Sequence, residues 1–406
     1  MGNDENLMDE IYQLLKVDKQ KKKLIDIINE RIVEYGISYY QIGQMLSINK
    51  NTFLRLIEKL EKGDVQSIDF YDILKIAQFL NIGIDEISQF YVASLKPEFI
   101  GEIETARKAN YLLRYFDLKG LKDAGFIGSV YDIAAIEKRI VTFFGLDSLF
   151  QYSTDVGAVL FSRTKNTSHD KMRDFWVRSA YYQFEKINNP NPFDKEKLLA
   201  IIPKIRPYTR QEEKGFATVV AALYNIGVTV IVQTYLSKTE VRGGTFVVNG
   251  KPCIVITDRG KNYATLWFAL MHEIYHTIYD FEELKSWKYH LTGEADLHLF
   301  KEDLADYFAC EMLFPKEKLN YIRPMINSPI IVNEYSEQNK IHPSIIYNFY
   351  CYDEKETKGN NYYPFYQKYF GKADKAIKKL EHYPFNKEKI TENVDRYKAL
   401  LTAEPK

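Results

Sequence analysis

Histidine is scarce in this chain, cysteine scarcer still, and net charge is absent. Three cysteines, Cys253, Cys310 and Cys351, stand at unrelated spacings with no CxxC pair among them. An odd number so placed argues against a disulfide framework and for reduced thiols in a cytosolic protein. Lysine plus arginine equals aspartate plus glutamate at 55 each, so no global charge draws the protein towards nucleic acid or membrane. No apolar run has the length needed to cross a bilayer. The first residues, Met1-Gly2-Asn3-Asp4-Glu5-Asn6, lack the apolar region of a secretory signal, and Asn6 stands where a myristoylation signal wants Ser or Thr. The expected location is the cytoplasm, with no membrane partner. Aromatic residues are plentiful, 31 Tyr and 25 Phe, but they are spread evenly along a Lys-, Ile- and Asn-rich chain and carry no functional reading. At 406 residues there is room for two or three domains and a real core.

What is present is sharper. His272-Glu273-Ile274-Tyr275-His276 lies within Ala264 to Tyr279, sixteen residues without Gly or Pro. Its apolar positions Leu266, Leu270, Ile274 and Ile278 recur every four, as the inward face of a helix would. On a helix, residues four apart share a face, so His272 and His276 can turn imidazole nitrogens to one ion. Glu273 sits beside them, where a carboxylate can act as general base on a water. Lys301 to Pro315 reads as a second helix, on which Glu302 and Asp306 are four apart. Glu302 is the natural third ligand, with one Zn2+ per chain. Asp306 would accept a hydrogen bond from the outward nitrogen of a ligand histidine. Asp303 competes with Glu302 for the ligand role, because the rotation of the helix is not set by spacing. His342, Tyr275 and Tyr307 are candidate donors for the oxygen of a tetrahedral intermediate. His169, alone among polar residues, reads as exposed, and His290, His298 and His382 as surface or structural.

The first hundred residues have a different character. Leu24 to Tyr35, Tyr39 to Leu46, Asn51 to Leu60 and Phe70 to Leu80 have helical spacing, with Gly36 and Ser47-Ile48-Asn49 as breaks. Two short helices joined by a three- to four-residue turn make a helix-turn-helix, whose second helix enters the DNA major groove. Asn49, Lys50, Asn51, Thr52 and Arg55 would begin that helix, and their side chains suit base edges and phosphates. From Lys16 to Asp64 there are ten basic and seven acidic residues, a net of only +3, so strong non-specific DNA binding is not assured. A protein-interaction module on the same helices is the competing use.

Between these regions Lys108 to Phe116, Asp132 to Phe144 and Lys171 to Ile187 read as helices, and Asn188-Asn189-Pro190-Asn191-Pro192 as a boundary. Thr209 to Glu212 has capping-box spacing and should open a helix running to Asn225. Val228 to Thr234 reads as a strand, and Thr245 to Val248, Asn249-Gly250 and Cys253 to Thr257 as a hairpin, the last strand a candidate edge for a substrate backbone. Tyr366 to Glu381 and Lys387 to Leu401 are expected helices near the end, covering the core or binding a partner. The fold class is α+β. The expected segments are 1–95, all-helical helix-turn-helix; 96–205, a helical connection; 206–325, a small sheet with the metal helices; and 326–406, helical.

Two family resemblances rest on these residues. The N-terminal segment resembles the Xre family of phage-repressor-like domains, through Gly36-Ile37-Ser38, Gln41-Ile42-Gly43, Ser47-Ile48 and Glu58 to Gly63. The span from Val228 to Pro343 resembles the ImmA/IrrE family of zincin-like metallopeptidases. Its matching points are Gly243-Gly244-Thr245, Ile254 to Thr257, Arg259-Gly260-Lys261, Trp267-Phe268, the two histidines with Glu273, Glu302 with Ala305-Asp306, Leu313 to Pro315 and Ile341-His342-Pro343. The resemblance implies a cytosolic zinc protease that cleaves helix-turn-helix repressors and so releases stress, prophage or mobile-element genes. It makes His272, His276 and Glu302 ligands and Glu273 the base. The family commonly has Gly where Tyr275 stands, so packing there should differ. A DNA-binding or antitoxin-like regulator whose zinc domain cuts nothing is the alternative, and a homodimer is left open.

Overall fold

The computed structural model describes residues 23–83, 87, 88, 91, 95–154, 168–239, 241–257, 262–287, 289–292, 299–380 and 383–402. The chain divides into two compact units, Met1–Lys108 and Ala109–Lys406. The described residues form a mixed α/β protein, mostly helical, with one small four-stranded sheet. No described helix is long and apolar enough to cross a membrane.

In the first unit, helices α1 (Leu24–Tyr35), α2 (Tyr39–Met45), α3 (Lys50–Glu61) and α4 (Phe70–Phe79) follow one another over short breaks. Gly36 ends α1 in the left-handed region, at φ 62°, where a side chain would be strained. Ser38 opens α2 with a reciprocal capping box: its hydroxyl accepts from Gln41 N, and the Gln41 side chain accepts from Ser38 N. Asn49 caps α3 by accepting from Asn51 N at 2.9 Å. The core beneath is mainly aliphatic with one phenylalanine, built from Ile28, Ile42, Phe53, Leu56, Ile57, Leu60, Ile73 and Ile76.

In the second unit, one continuous core runs from Leu112 to Leu401. The connecting, sheet-bearing and C-terminal segments all contribute to it. Helices α5 (Pro97–Tyr115, which crosses the division between the units), α6 (Ile133–Phe144) and α7 (Ser168–Ile187) precede the sheet. Asn188 to Pro192 ends α7 but separates nothing. Buried Asn189 donates to Tyr224 O at 2.9 Å, because a loop packed into the core must satisfy its polar groups internally. The helix expected to start near Thr209 starts later, as α8 (Gly215–Asn225). A 3₁₀ turn, Arg206–Arg210, takes its place, and the Thr209 hydroxyl donates to Arg206 O instead of capping.

The sheet consists of β1 (Thr229–Gln233), β2 (Gly243–Val248), β3 (Lys251–Thr257) and β4 (Tyr289–Thr292). Its order is β1-β3-β2-β4, parallel for β1 with β3 and antiparallel for the other two pairs. Asn249 and Gly250 both take positive φ, 51° and 73°, the conformation a two-residue hairpin turn requires. Because β3 is paired on both sides, Cys253 to Thr257 is not an edge; β1 and β4 are the edges among the described strands. Strand β4 has no sequence signal of its own and exists because β2 offers it an antiparallel partner.

Three further helices complete the surroundings of the sheet: α9 (Tyr263–Tyr279), α10 (Phe281–Trp287) and α11 (Leu299–Leu313). They are followed by α12 (Pro343–Lys358) and α13 (Ile390–Thr402). The helix expected over Tyr366 to Glu381 is broken into Tyr363–Tyr366 and Asp374–Ile377, with Gly371 at φ 68° between them. A buried amide chain fastens α13 to the sheet: Asn393 donates to Gln183 Oε1, Gln183 to Gln233 Oε1, and Gln233 to Trp176 O. Gln183 and Gln233 each use donor and acceptor at once, which is what allows such groups to be buried.

Candidate metal centre

Helix α9 is buried almost all round. Leu266, Leu270, Ile274 and Ile278 face the core as their spacing predicts, and His272, Glu273 and His276 are buried with them. The two histidines meet: His272 Nε2 and His276 Nε2 are 3.2 Å apart. Their other ring nitrogens are committed. His272 Nδ1 donates to Asp306 Oδ1 at 2.7 Å, and His276 Nδ1 donates to Asp280 Oδ2 at 2.8 Å. This fixes both rings with the Nε2 atoms turned to a common point. Glu302, from α11, completes the group, with Oε2 3.4 Å from His272 Nε2 and Oε1 3.3 Å from His276 Nε2. These three residues are the group that could hold a metal ion among the described residues.

Of the two acidic candidates on α11, Glu302 is brought to the histidines and Asp303 points to solvent. Asp306 lies one turn further on and reaches His272, as the four-residue spacing implies. Two lone pairs turned at each other across 3.2 Å repel unless a proton or a cation stands between them. Burial opposes charging His272, but Asp306, Glu302 and Glu273 outweigh it and lift the ring to about 10. His276 is also raised: burial opposes its charge, and Asp280 and Glu302 prevail. Glu302 moves the other way. Burial disfavours its carboxylate, yet His272, His276 and His290 hold it well below the ordinary carboxylate range. A field that gathers protons in this way also suits a divalent cation, and two imidazoles with one carboxylate are a donor set zinc accepts.

Glu273 is fully buried, and the sheet holds it. The Thr245 hydroxyl donates to Glu273 Oε2 at 2.7 Å. Two residues earlier on the same face of β2, Gly243 lies so close that an added Cβ would stand 2.7 Å from Glu273 Oε1. An added Cβ would have to displace that carboxylate.

Asp280, His290, Thr245 and Gly243 were not singled out for these roles by the sequence. Asp280 carried a usable signal, being four residues after His276 on the same helical face. His290, expected at the surface or in a structural role, is largely shielded and stands against Glu302 at 2.6 Å. His298 and His382 lie outside the described residues, as does the side chain of His169.

The other candidate donors differ in their surroundings. His342 caps α12 and bonds to Ser344 and Glu212, near Tyr263 at the start of α9. That is nine residues before His272, roughly 13 Å along the helix axis. Tyr275 packs on the rings of His276, Tyr279 and Phe308, which is how a large side chain is accommodated at that position. Tyr307 is exposed on α11.

In the first unit, Asn49, Lys50, Asn51, Thr52 and Arg55 are all exposed at the start of α3. Lys50 lies over the Tyr40 ring at 5.4 Å. Comparison with protein-family models, with curated proteins and with solved structures finds no match to this chain.

Proposed function

We propose that the protein is a zinc-dependent peptidase of the ImmA/IrrE type acting in transcriptional regulation, with a helix-turn-helix repressor or related regulator as its substrate. In this reading the first unit is an Xre-type DNA-binding domain and the enzyme works in the cytoplasm. The observation that carries it is the convergence of His272, His276 and Glu302 beside a buried Glu273 that the sheet holds in place.

Zinc held by these three groups would supply a Lewis acid and a water acidic enough to be deprotonated near neutral pH. Glu273 is the base. Its Oε2 is anchored by Thr245 and its Oε1 is walled by Gly243, so the carboxylate is oriented before any substrate arrives. It takes a proton from the attacking water and delivers it to the leaving amine. Asp306 and Asp280 hold the tautomers of the two histidines. Strand β4 is the sheet edge that carries His290, and an extended substrate backbone would add there. The exposed polar side chains from Asn49 to Arg55 suit phosphates and base edges.

The complete burial of Glu273 favours one other reading, a DNA-binding or antitoxin-like regulator whose zinc domain senses a ligand or partner without proteolysis. Glu273→Gln separates the two. Metal analysis should find one zinc per chain in both forms. Cleavage of a helix-turn-helix repressor that the parent cuts should fall by about 10²–10⁴-fold in the variant. Equal cleavage by parent and variant would end the proteolytic reading.

A further inference from the structure

We propose that His290 is a positioning residue for the metal centre: from the edge strand it donates a hydrogen bond to one oxygen of Glu302 and leaves the other for the ion. The inference rests on the proposed zinc site. Three observations support it.

His290 Nε2 lies 2.6 Å from Glu302 Oε1, and an ionised carboxylate only accepts, so the hydrogen is on Nε2. With that hydrogen in place His290 has no lone pair there to act as a ligand. Its ring also lies 4.5 Å from that of His276, so it stands beside the donor group. The third observation is register. Thr245 and His290 are directly paired across β2 and β4. Cross-strand partners project from the same face of a sheet, and here each aims one donor at one carboxylate of the site. Thr245 serves Glu273, and His290 serves Glu302. The pairing of two strands therefore sets both acidic groups relative to the two histidines on α9.

The test uses the full chain with zinc and, in parallel, cobalt(II). His290→Ala removes the donor; His290→Gln places an amide N–H within reach of the same oxygen. Chelator competition should show zinc bound about 10–100-fold more weakly by His290→Ala. The cobalt absorption spectrum should shift, and His290→Gln should recover most of the affinity and the parent spectrum. Thermal melting of the metal-free forms reports on folding. Should His290→Ala fail to fold, parent-like affinity in His290→Gln supports the assignment and weak binding by it overturns the assignment. Parent-like zinc affinity in His290→Ala overturns it too. So does a His290→Gln protein as weak as His290→Ala whose cobalt spectrum has lost a nitrogen ligand, since His290 would then be a ligand itself. A parent chain that binds no zinc would bring down the proposed function first; a zinc-binding parent indifferent to His290→Ala would bring down this inference alone.

Discussion

The two units place their candidate chemistry in opposite ways. In the first, Asn49, Lys50, Asn51, Thr52 and Arg55 are near neighbours in sequence, at the cap and the first two turns of α3, and all are exposed. In the second, the metal-donor group and its supports come from α9, the residue after it, β2, β4 and α11, and most are buried. A surface patch is a local object: capping and helix phase suffice to make it. A buried charged group must have every polar atom answered, so each donor calls for a partner from another element. Damage should therefore stay local in the first unit and spread in the second.

The largest contrast is in metal. His272→Ala should leave less than one zinc per chain after gel filtration, because two of three donors cannot hold the ion, while Asn49→Ala should retain the parent's content. Full zinc in His272→Ala would mean that the ion, if bound, sits elsewhere. Next in size is Gly243→Ala. Its Cβ would meet the Glu273 carboxylate, and overpacking of this kind costs about 1–3 kcal/mol, to be read from denaturant midpoints. Gly36 has nothing near its Cβ position, so Gly36→Ala should cost only the strain of a left-handed backbone, about 1 kcal/mol.

Alkaline pH should separate the units as well. Cys253, Cys310 and Cys351 all lie in the second, and burial raises each thiol to about 12 from an ordinary value near 9. A raised folded pKa means that the folded protein keeps its proton longer than the unfolded chain does. The stabilising contribution is then complete below pH 9 and is lost as pH climbs towards 12. Thiol reagents at pH 8 should find three silent cysteines in the folded chain and three reactive ones after denaturation; prompt labelling of Cys253 would contradict this. Smallest of all, Lys50→Ala with Arg55→Ala should change stability by less than about 0.5 kcal/mol. It should also flatten the salt dependence of DNA binding by roughly 0.9 for each phosphate that is no longer neutralised. A parent that never shifts DNA at low salt would remove the nucleic-acid role from the first unit.

What could be read in advance follows the same division. The spacing of His272 and His276, and of Glu302 and Asp306, is helical arithmetic, and the structure sets each pair on one face. Asn249-Gly250 announced its hairpin through the backbone conformation it tolerates. The misread elements depended on distant partners. Thr209 looked like a helix cap, but its hydroxyl turns back to Arg206 O and accepts from His342 N. Asn189 looked like linker punctuation, but it is stapled to α8. Strand β4, four residues with no alternation to speak of, has β2 as its pairing partner among the described strands.

From sequence alone came two histidines and a glutamate on one helix, a carboxylate pair on another, and a run of exposed polar side chains at the start of a third. Those follow from periodicity, which is a property of neighbours in the chain. Tertiary structure decided that Glu302 and not Asp303 meets the histidines, that Asp280 locks His276, and that Gly243, Thr245 and His290 close around the two carboxylates. Those depend on helix rotation and strand register, which are set only when the core packs.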